Sequence, residues 1–214
     1  MTQRRSAKTV RSAQNSGQLI MSPAGVGLLI QRQLEHPPLF GALASIQIRN
    51  ISRVRMVVVR DFDIRTMTLQ SSADSRSAKV AQLQAHQRNE LCLWLPELAT
   101  QLRLLASWHV ITQEVAEHSQ RDFVIRHKLW QRHRPESRHL FTGAQPGRPV
   151  AMHRHGAAVA PLEEDAADDQ PAANFAVLVG RIVSIDALYL AEANHQRYRH
   201  RRIADRWETL KINP

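Results

Sequence analysis

Two groups of basic residues in the first half of the chain have the types and spacing to hold an anion. Arg55 and Arg60 lie in a segment with strand-like alternation, and Arg76 and Lys79 follow, with Ser77 between them. An extended segment rises about 3.3 Å per residue, so Arg55 and Arg60 lie roughly 17 Å apart and could line a groove without sharing one phosphate. Arg76 and Lys79 share a face at the start of a predicted helix, where free backbone N–H groups favour an anion. The alternative is a solvated basic surface.

Other kinds of chemistry have weaker support in the sequence. His153 and His155 stand two apart, but no third ligand has convincing spacing, so we expect no metal site. Cys92 has apolar neighbours and no nearby group that would lower the pKa of its thiol, so it is expected to pack rather than react. Ser71 and Ser72 lack the Gly-x-Ser-x-Gly context of a triad hydrolase.

The chain carries a strong positive charge. Twenty-nine Lys and Arg against nineteen Asp and Glu give a formal net charge of +10. Charge of this size attracts phosphates of any kind, whether in nucleic acid, anionic lipid or a phosphorylated cofactor. The basic residues are spread over segments 49–60, 121–138 and 197–206 with few aromatics between them. This distribution does not favour nucleic-acid binding, because nucleic-acid-binding proteins have denser clusters of basic residues or aromatic side chains that stack on bases.

Length and composition indicate one globular domain in a reducing compartment. A chain of 214 residues can bury one sizeable core, and 43% hydrophobic with 22% charged residues is typical of a globular protein. The apolar run at residues 24–30 is too short to span a bilayer. A single cysteine permits no internal disulfide, which agrees with a cytoplasmic location.

The elements that would position these residues follow from hydrophobic periodicity. Residues 1–20 are polar and basic and are predicted to be a flexible arm, and a helix is expected from Pro23 to the prolines at 37 and 38. Alternation over residues 44–48 and 54–58, with Asn50 between, predicts a β-hairpin. Residues 64–69 are the third strand candidate.

The second half continues with mixed elements. A short helix is predicted over residues 77–85, strands over 91–95 and 101–111, and a helix over 113–131. Residues 143–173 hold four prolines and an acidic run, which predicts a long loop or disordered insertion. A strand over 175–185 and a short basic tail complete the chain. Residues 21–214 thus form one α+β domain, with a barrel among the possible architectures.

Six segments, in order, give the chain a resemblance to the pyridoxamine phosphate oxidase-like proteins. They are residues 55–60 (RMVVVR), 72–79 (SADSRSAK), 101–104 (QLRL), Trp130 with 134–138 (RPESR), 174–178 (NFAVL), and a tail with Arg197, Trp207, Leu210 and Pro214. The resemblance runs from about Phe40 to the last residue and is greatest with the shorter bacterial-type FMN-binding relatives. It implies an antiparallel split β-barrel with flanking helices, and a homodimer with FMN at the subunit interface.

The resemblance also implies roles for individual residues. Arg55 with the backbone of Met56, Val57 and Val58 would contact the ribityl chain and the isoalloxazine edge. Arg60 would lie near the flavin or the substrate. Arg76, Ser77 and Lys79 would hold the FMN phosphate.

Four further residues have a role implied by the resemblance and an ordinary alternative. Gln101 would reach the flavin from the following strand or be a cross-strand polar residue. Ser137 and Arg138 would reach the cofactor of a second subunit or cap a helix after Pro135. Arg197 would lie near the flavin or belong to a solvated tail.

The resulting hypothesis is an FMN-binding oxidoreductase that acts on a small molecule. The family pattern Arg-x-His-x-Arg for substrate phosphate is replaced by His195-Gln-Arg-Tyr-Arg199, which argues against pyridoxamine phosphate as the substrate. The alternatives are a flavin-binding module without catalysis and, less favoured, a nucleic-acid-binding protein.

Overall fold

The structure is a computed structural model that describes residues 17–47, 50–149, 169–190 and 195–214. The described residues form one antiparallel sheet with the strand order β3-β2-β1-β4-β5-β6-β7-β8, and β3 also pairs with β6. This pairing closes six strands into a barrel, which confirms the predicted fold class. The strands are β1 Leu39–Gln47, β2 Ile51–Asp63, β3 Thr68–Asp74, β4 Arg88–Leu95, β5 Thr100–Ile111, β6 Phe175–Tyr189, β7 Gln196–Ile203 and β8 Arg206–Ile212.

Short helices lie around the barrel. They are α1 Pro23–Leu34, α2 Ala78–Ala85, α3 Gln113–Glu117, α4 Gln120–Gln131 and α5 Pro135–Arg138. Ser22 caps α1 because its hydroxyl accepts a hydrogen bond from the backbone N–H of Gly25 at 3.1 Å. The predicted helix 113–131 is in fact two helices, since Ser119 caps α4 by accepting from the N–H of Asp122. None of the helices among the described residues is long and apolar enough to cross a bilayer.

The first hairpin forms as predicted, but the third strand begins later than expected. In the hairpin, β1 pairs with β2 from Leu39 opposite Val59 to Gln47 opposite Ile51. Residues 64–67 form a turn in which the Asp63 carboxylate accepts hydrogen bonds from the backbone N–H of Arg65 and the Thr66 hydroxyl. The prediction of a strand from residue 64 was therefore wrong, because local Asx-type hydrogen bonds outweigh β-branched propensity.

The basic tail also differs from its prediction. Residues 196–212 form the hairpin β7–β8, whose turn places Ala204 at φ 50°. Its inward row is occupied by Tyr198 and His200 rather than by aliphatic residues, so the apolar alternation that reveals a strand is absent.

The last residues of the predicted N-terminal arm pack against the domain. Residues 17–20 form a helical turn, and Ile20 is completely buried. The backbone carbonyl of Ile20 lies 2.9 Å from Nε2 of the buried His200 on β7. This contact connects the first described residues to the C-terminal hairpin. Residues 1–16 lie outside the described part of the chain.

The barrel interior is the main hydrophobic core. Leu43, Leu93, Leu104 and Ile182 are fully buried there. A second, smaller cluster lies under α4, where the rings of Trp130, Phe141 and Phe175 meet edge to face with centroids 4.9 to 5.9 Å apart. These two cores hold β2, β3 and the helix that follows β3 in fixed positions.

Candidate functional site

A small groove of about 230 Å³ lies where β2, β3 and α2 meet. It is lined by Phe40, Met56, Val57, Val58, Arg60, Ser72 and Lys79. The structure thus brings together five residues that the resemblance assigned to cofactor binding. Phe40 and Ser72 are additional lining residues; Ser72 belongs to the phosphate-loop segment that the sequence analysis singled out.

Strand alternation and a helix start position the groove residues. On β2, Val57 and Val59 face the core, whereas Met56 faces outward and Val58 is half-buried. At the end of β3 the chain turns into α2, where the Ser77 hydroxyl donates a hydrogen bond of 2.6 Å to the carbonyl of Asp74. That bond fixes the turn, and Lys79 follows in the first turn of the helix.

Arg55 lies on the inward row of β2, among neutral acceptors. Its Nη1 donates to the hydroxyl of Ser45 on β1, and its Nη2 donates to Oε1 of Gln82 on α2 at 2.9 Å. The Ser45 hydroxyl donates to the same Gln82 oxygen at 2.6 Å. Burial, and then the charge of Arg53, lower the pKa of Arg55. Ser45 and Gln82 carry no sequence signal because only the barrel brings them to Arg55.

Lys79 is a second cation beside Arg55. Its ammonium group donates to the Ser77 hydroxyl at 3.1 Å. Burial lowers the pKa of Lys79, the charge of Arg55 lowers it further, and Asp74 opposes both effects. No carboxylate of the described residues lies within ion-pair distance of Arg55 or Lys79. The pair therefore carries excess positive charge that an anion would stabilise.

Arg76 has a different environment from Lys79. Its guanidinium bonds to both oxygens of the buried Asp74 carboxylate, and its Nη1 donates to the carbonyl of Gly143 at 3.1 Å. It does not line the groove. All three guanidinium nitrogens of Arg76 thus donate hydrogen bonds within the described chain. The assignment of Arg76 to the FMN phosphate stays a prediction.

The charges of two arginines act on the buried His133, a residue that carries no signal in the sequence. His133 is buried between the rings of Phe141 and Phe175, and neither ring nitrogen has a hydrogen-bond partner among the residues that the structure describes. Burial, followed by the charges of Arg60 and Arg138, lowers the pKa of His133 to about 4. Arg60 and Arg138 therefore both lie close enough to the buried imidazole for their charges to act on it.

Ser137 and Arg138 belong to the short helix α5. The guanidinium of Arg138 lies 5.0 Å from the centre of the Trp130 ring, within cation–π range, and the residue is buried. Ser137 is half-buried, and its backbone N–H bonds to the carbonyl of Arg134 at 2.9 Å. Neither residue lines the groove.

Gln101 and Arg197 lie away from the groove in one chain. Gln101 on β5 pairs with Trp94 on β4 and with Leu188 on β6, and Leu188 pairs with Arg197 on β7. Three strand steps separate β2 from β5, and three separate β2 from β7 when the path follows the β3–β6 pairing. Arg197 forms a two-point ion pair with Asp186, with distances of 2.8 and 2.9 Å.

The outer face of β1, β2 and β4 beside the groove is apolar. Phe40, Val54, Met56 and Trp94 are each about half exposed or more, with Val54 at 68%. The strand register puts Phe40 opposite Val58 and Val54 opposite Ala44, so these side chains form one continuous surface. Contiguous apolar surface of this kind marks contact with another molecule.

Within the described residues no group of His, Cys, Asp and Glu is arranged to hold a metal ion. His153 and His155 lie outside the described residues. Cys92 is half-buried on β4, and burial raises the pKa of its thiol.

A six-stranded antiparallel barrel with a cationic groove at one corner defines the class of split-barrel proteins. Residues 28–112 match the family model described as pyridoxamine 5'-phosphate oxidase, FMN-binding domain. Over residues 28–112 the resemblance that the sequence predicts is confirmed: this part of the chain is similar to the FMN-binding domain of the pyridoxamine 5'-phosphate oxidase family, and the fold is the split barrel of its structural neighbours.

Solved structures agree with this assignment. One is a pyridoxamine 5'-phosphate oxidase-related, FMN binding protein from Nostoc punctiforme PCC 73102, with 26% identity and a TM-score of 0.72 over 88% of this chain and 93% of that chain. Another is PhzG from Burkholderia lata 383 in complex with tetrahydrophenazine-1-carboxylic acid, with 16% identity and a TM-score of 0.65 over 87% and 91%. The second supports the fold alone. No curated protein matches the chain significantly.

Proposed function

We propose that the chain binds FMN and acts as a homodimeric, FMN-dependent oxidoreductase on a small molecule. The observation that carries the proposal is the pair of cations Arg55 and Lys79, which has no carboxylate within ion-pair distance among the described residues and borders a groove with apolar walls. FMN combines a doubly charged phosphate with a large apolar ring. The groove and its surroundings supply a matching partner for each part.

The phosphate would bind to Lys79 at the start of α2, supported by Ser77 and Arg55. Charge-assisted hydrogen bonds to phosphate are short and strong, and a half-buried site strengthens them. The half-buried position of Lys79 and its lowered pKa support this role, because binding a dianion would relieve the repulsion from Arg55. Arg76 would contribute a further contact to the phosphate, while its bonds to Asp74 hold the turn.

The flavin ring would lie along β2, against the backbone of Met56, Val57 and Val58. The ring supplies the redox chemistry when bound, and the protein supplies orientation and charge. Arg60 at the end of the groove would place a positive charge beside the ring or the substrate. Burial lowers the pKa of Arg60, which agrees with a partly desolvated position.

A second copy of the chain would complete the site. The apolar face that includes Phe40 and Met56 adjoins the groove, so a dimer contact there would bury both. Gln101, Ser137, Arg138 and Arg197 would then approach the cofactor of the partner subunit. A cytoplasmic location is part of the same proposal.

The test is reconstitution of the purified chain with FMN. We expect a flavin absorption spectrum after gel filtration, release of one FMN per chain on denaturation, and a higher melting temperature with added FMN. A colourless protein with no shift in melting temperature would overturn the proposal. Tight binding without turnover by any reductant would instead identify a flavin-binding module without catalysis.

A further inference from the structure

A second groove, larger than the first and separate from it, lies over the start of β4 and the facing stretches of β5 and β6. Its volume is about 740 Å³, within the usual range for small-molecule sites. We call it the arginine groove after Arg88, Arg121, Arg181 and Arg202, which line it together with Ser107 and His109. It shares no lining residue with the groove at Lys79.

The strand register fixes the centre of the arginine groove. Arg88 on β4 pairs with Ser107 on β5, Ser107 pairs with Arg181 on β6, and Arg181 pairs with Thr68 on β3. Adjacent strands are about 4.8 Å apart, so the backbones of Arg88 and Arg181 are separated by roughly 10 Å with a hydroxyl between them. Beneath this row of paired residues, Trp108 is buried, and its indole N–H donates to the carbonyl of Asn89 at 3.0 Å.

Two other elements complete the walls. Arg121 is in the first turn of α4, and Arg202 is beside the turn of the β7–β8 hairpin. Asp122, the one carboxylate among the lining residues, lies 2.9 Å from Nε2 of His109. The sequence does not reveal this arrangement, because the four arginines come from segments that are far apart in the chain.

The charges in the arginine groove are not balanced within the described chain. Arg88, Arg121 and Arg181 form no ion pair with any carboxylate of the described residues. Arg202 is near Asp205, at 3.7 Å. Like charges gathered around one concavity repel each other and attract an anion of complementary size. Guanidinium groups suit phosphate in particular, since each can bond to two oxygens at once.

We propose that the arginine groove binds a small phosphorylated molecule, distinct from the FMN of the first groove. Arg88 and Arg181 hold its phosphate groups from either side of Ser107, and Arg121 closes the site from α4. The space beside the row accommodates a group the size of a nucleoside or sugar. This site does not depend on the proposed function, because no residue is common to the two grooves.

The experiment is calorimetric titration of the intact chain with inorganic pyrophosphate at fixed ionic strength. Saturable binding with one site per chain is expected, both in the presence of excess FMN and in a Lys79→Ala variant. In Arg88→Gln/Arg181→Gln the affinity should fall by at least about tenfold, since two charge-assisted contacts are lost. The matched control Arg32→Gln/Lys128→Gln removes the same charge from exposed positions and should leave the affinity unchanged.

Three results would overturn the proposal. One is the absence of saturable binding in the wild-type chain. Another is equal weakening in the groove variant and in the control variant, which would indicate attraction by net charge only. The last is citrate binding as tightly as pyrophosphate, which would exclude specificity for phosphate. Circular dichroism of each variant checks that it is folded.

Discussion

The guanidinium of Arg76 and the buried carboxylate of Asp74 form a two-point ion pair, with Nε–Oδ1 at 3.0 Å and Nη2–Oδ2 at 2.7 Å. Burial raises the pKa of Asp74, but the hydrogen bonds from Arg76 outweigh it, so the pKa lies below the ordinary value. Asp74 therefore stays ionised, and its contribution to stability is lost only as the pH falls through that lowered pKa.

Replacement of Arg76 should consequently have two separable effects. Arg76→Ala leaves a buried carboxylate without its partner and lowers the melting temperature. The double variant Asp74→Ala/Arg76→Ala removes that carboxylate and should recover most of the stability. FMN affinity, measured by fluorescence titration, should stay low in both variants if Arg76 holds the phosphate. Recovery of affinity together with stability would assign Arg76 a structural role only.

Lys79 should contribute more to FMN binding than any exposed lysine. Lys79→Ala removes the ammonium beside Arg55, and loss of a charge-assisted contact costs about 1.5 to 3 kcal/mol, or roughly ten- to hundredfold in Kd. Lys128→Ala on α4, where the side chain is exposed, is the control and should leave Kd unchanged. Equal values of Kd for the two variants in fluorescence titration would remove Lys79 from the site.

His133 should make the protein sensitive to mild acid. Its pKa is about 4 in the folded chain, against about 6.5 in the unfolded chain, so the unfolded state binds more protons between these values. The contribution of neutral His133 to the free energy of unfolding is fully present above pH 6.5 and is lost as the pH falls towards 4. From pH 7.5 to 5 this amounts to about 2 kcal/mol of unfolding free energy.

Urea unfolding of His133→Leu and of the wild type at both pH values measures the effect. The variant should lose about 2 kcal/mol less than the wild type between pH 7.5 and 5. His36→Gln, at an exposed position, should behave as the wild type does. An identical loss in His133→Leu and wild type would show that other groups cause the acid sensitivity.

The apolar outer face should control the oligomeric state. Val54 is 68% exposed there, and Val54→Glu would place a charge in the proposed dimer contact. Light scattering coupled to gel filtration should give twice the chain mass for the wild type and the single chain mass for Val54→Glu. Leu28→Glu, an exposed position on α1, is the control and should remain dimeric. A monomeric wild type would contradict the expectation.

Gly25 should tolerate no side chain. A Cβ at this position would lie 2.1 Å from the carbonyl oxygen of Leu19, which is backbone and cannot rotate away. Gly25→Ala should therefore destabilise the chain by about 1 to 3 kcal/mol, despite the better helix propensity of alanine. At Gly143 the nearest atom would be 3.5 Å away, so Gly143→Ala is the control in the same urea titration. Equal stability of the two variants would show that the N-terminal turn moves freely.

The parts of the fold that the sequence predicts are those in which local pattern and burial agree. The β1–β2 hairpin alternates apolar and polar residues, and its core-facing row includes Leu43 and Val57. The β7–β8 hairpin is not predicted from the sequence, because arginines occupy much of its outward surface and His200 occupies an inward position. The candidate site shows the same contrast. Lys79 is predicted from the segment 72–79, whereas Ser45 and Gln82 reach Arg55 only through tertiary packing.

Closure of the barrel by β3 and β6 has a consequence for folding. Thr68 pairs with Arg181 and Asp74 with Phe175, and the bond between His200 and Ile20 joins residues 180 positions apart. Contacts this distant in sequence slow folding, because much of the chain must be ordered before they form. During synthesis β3 and β5 remain unpaired edges until β6 leaves the ribosome, and such edges favour aggregation.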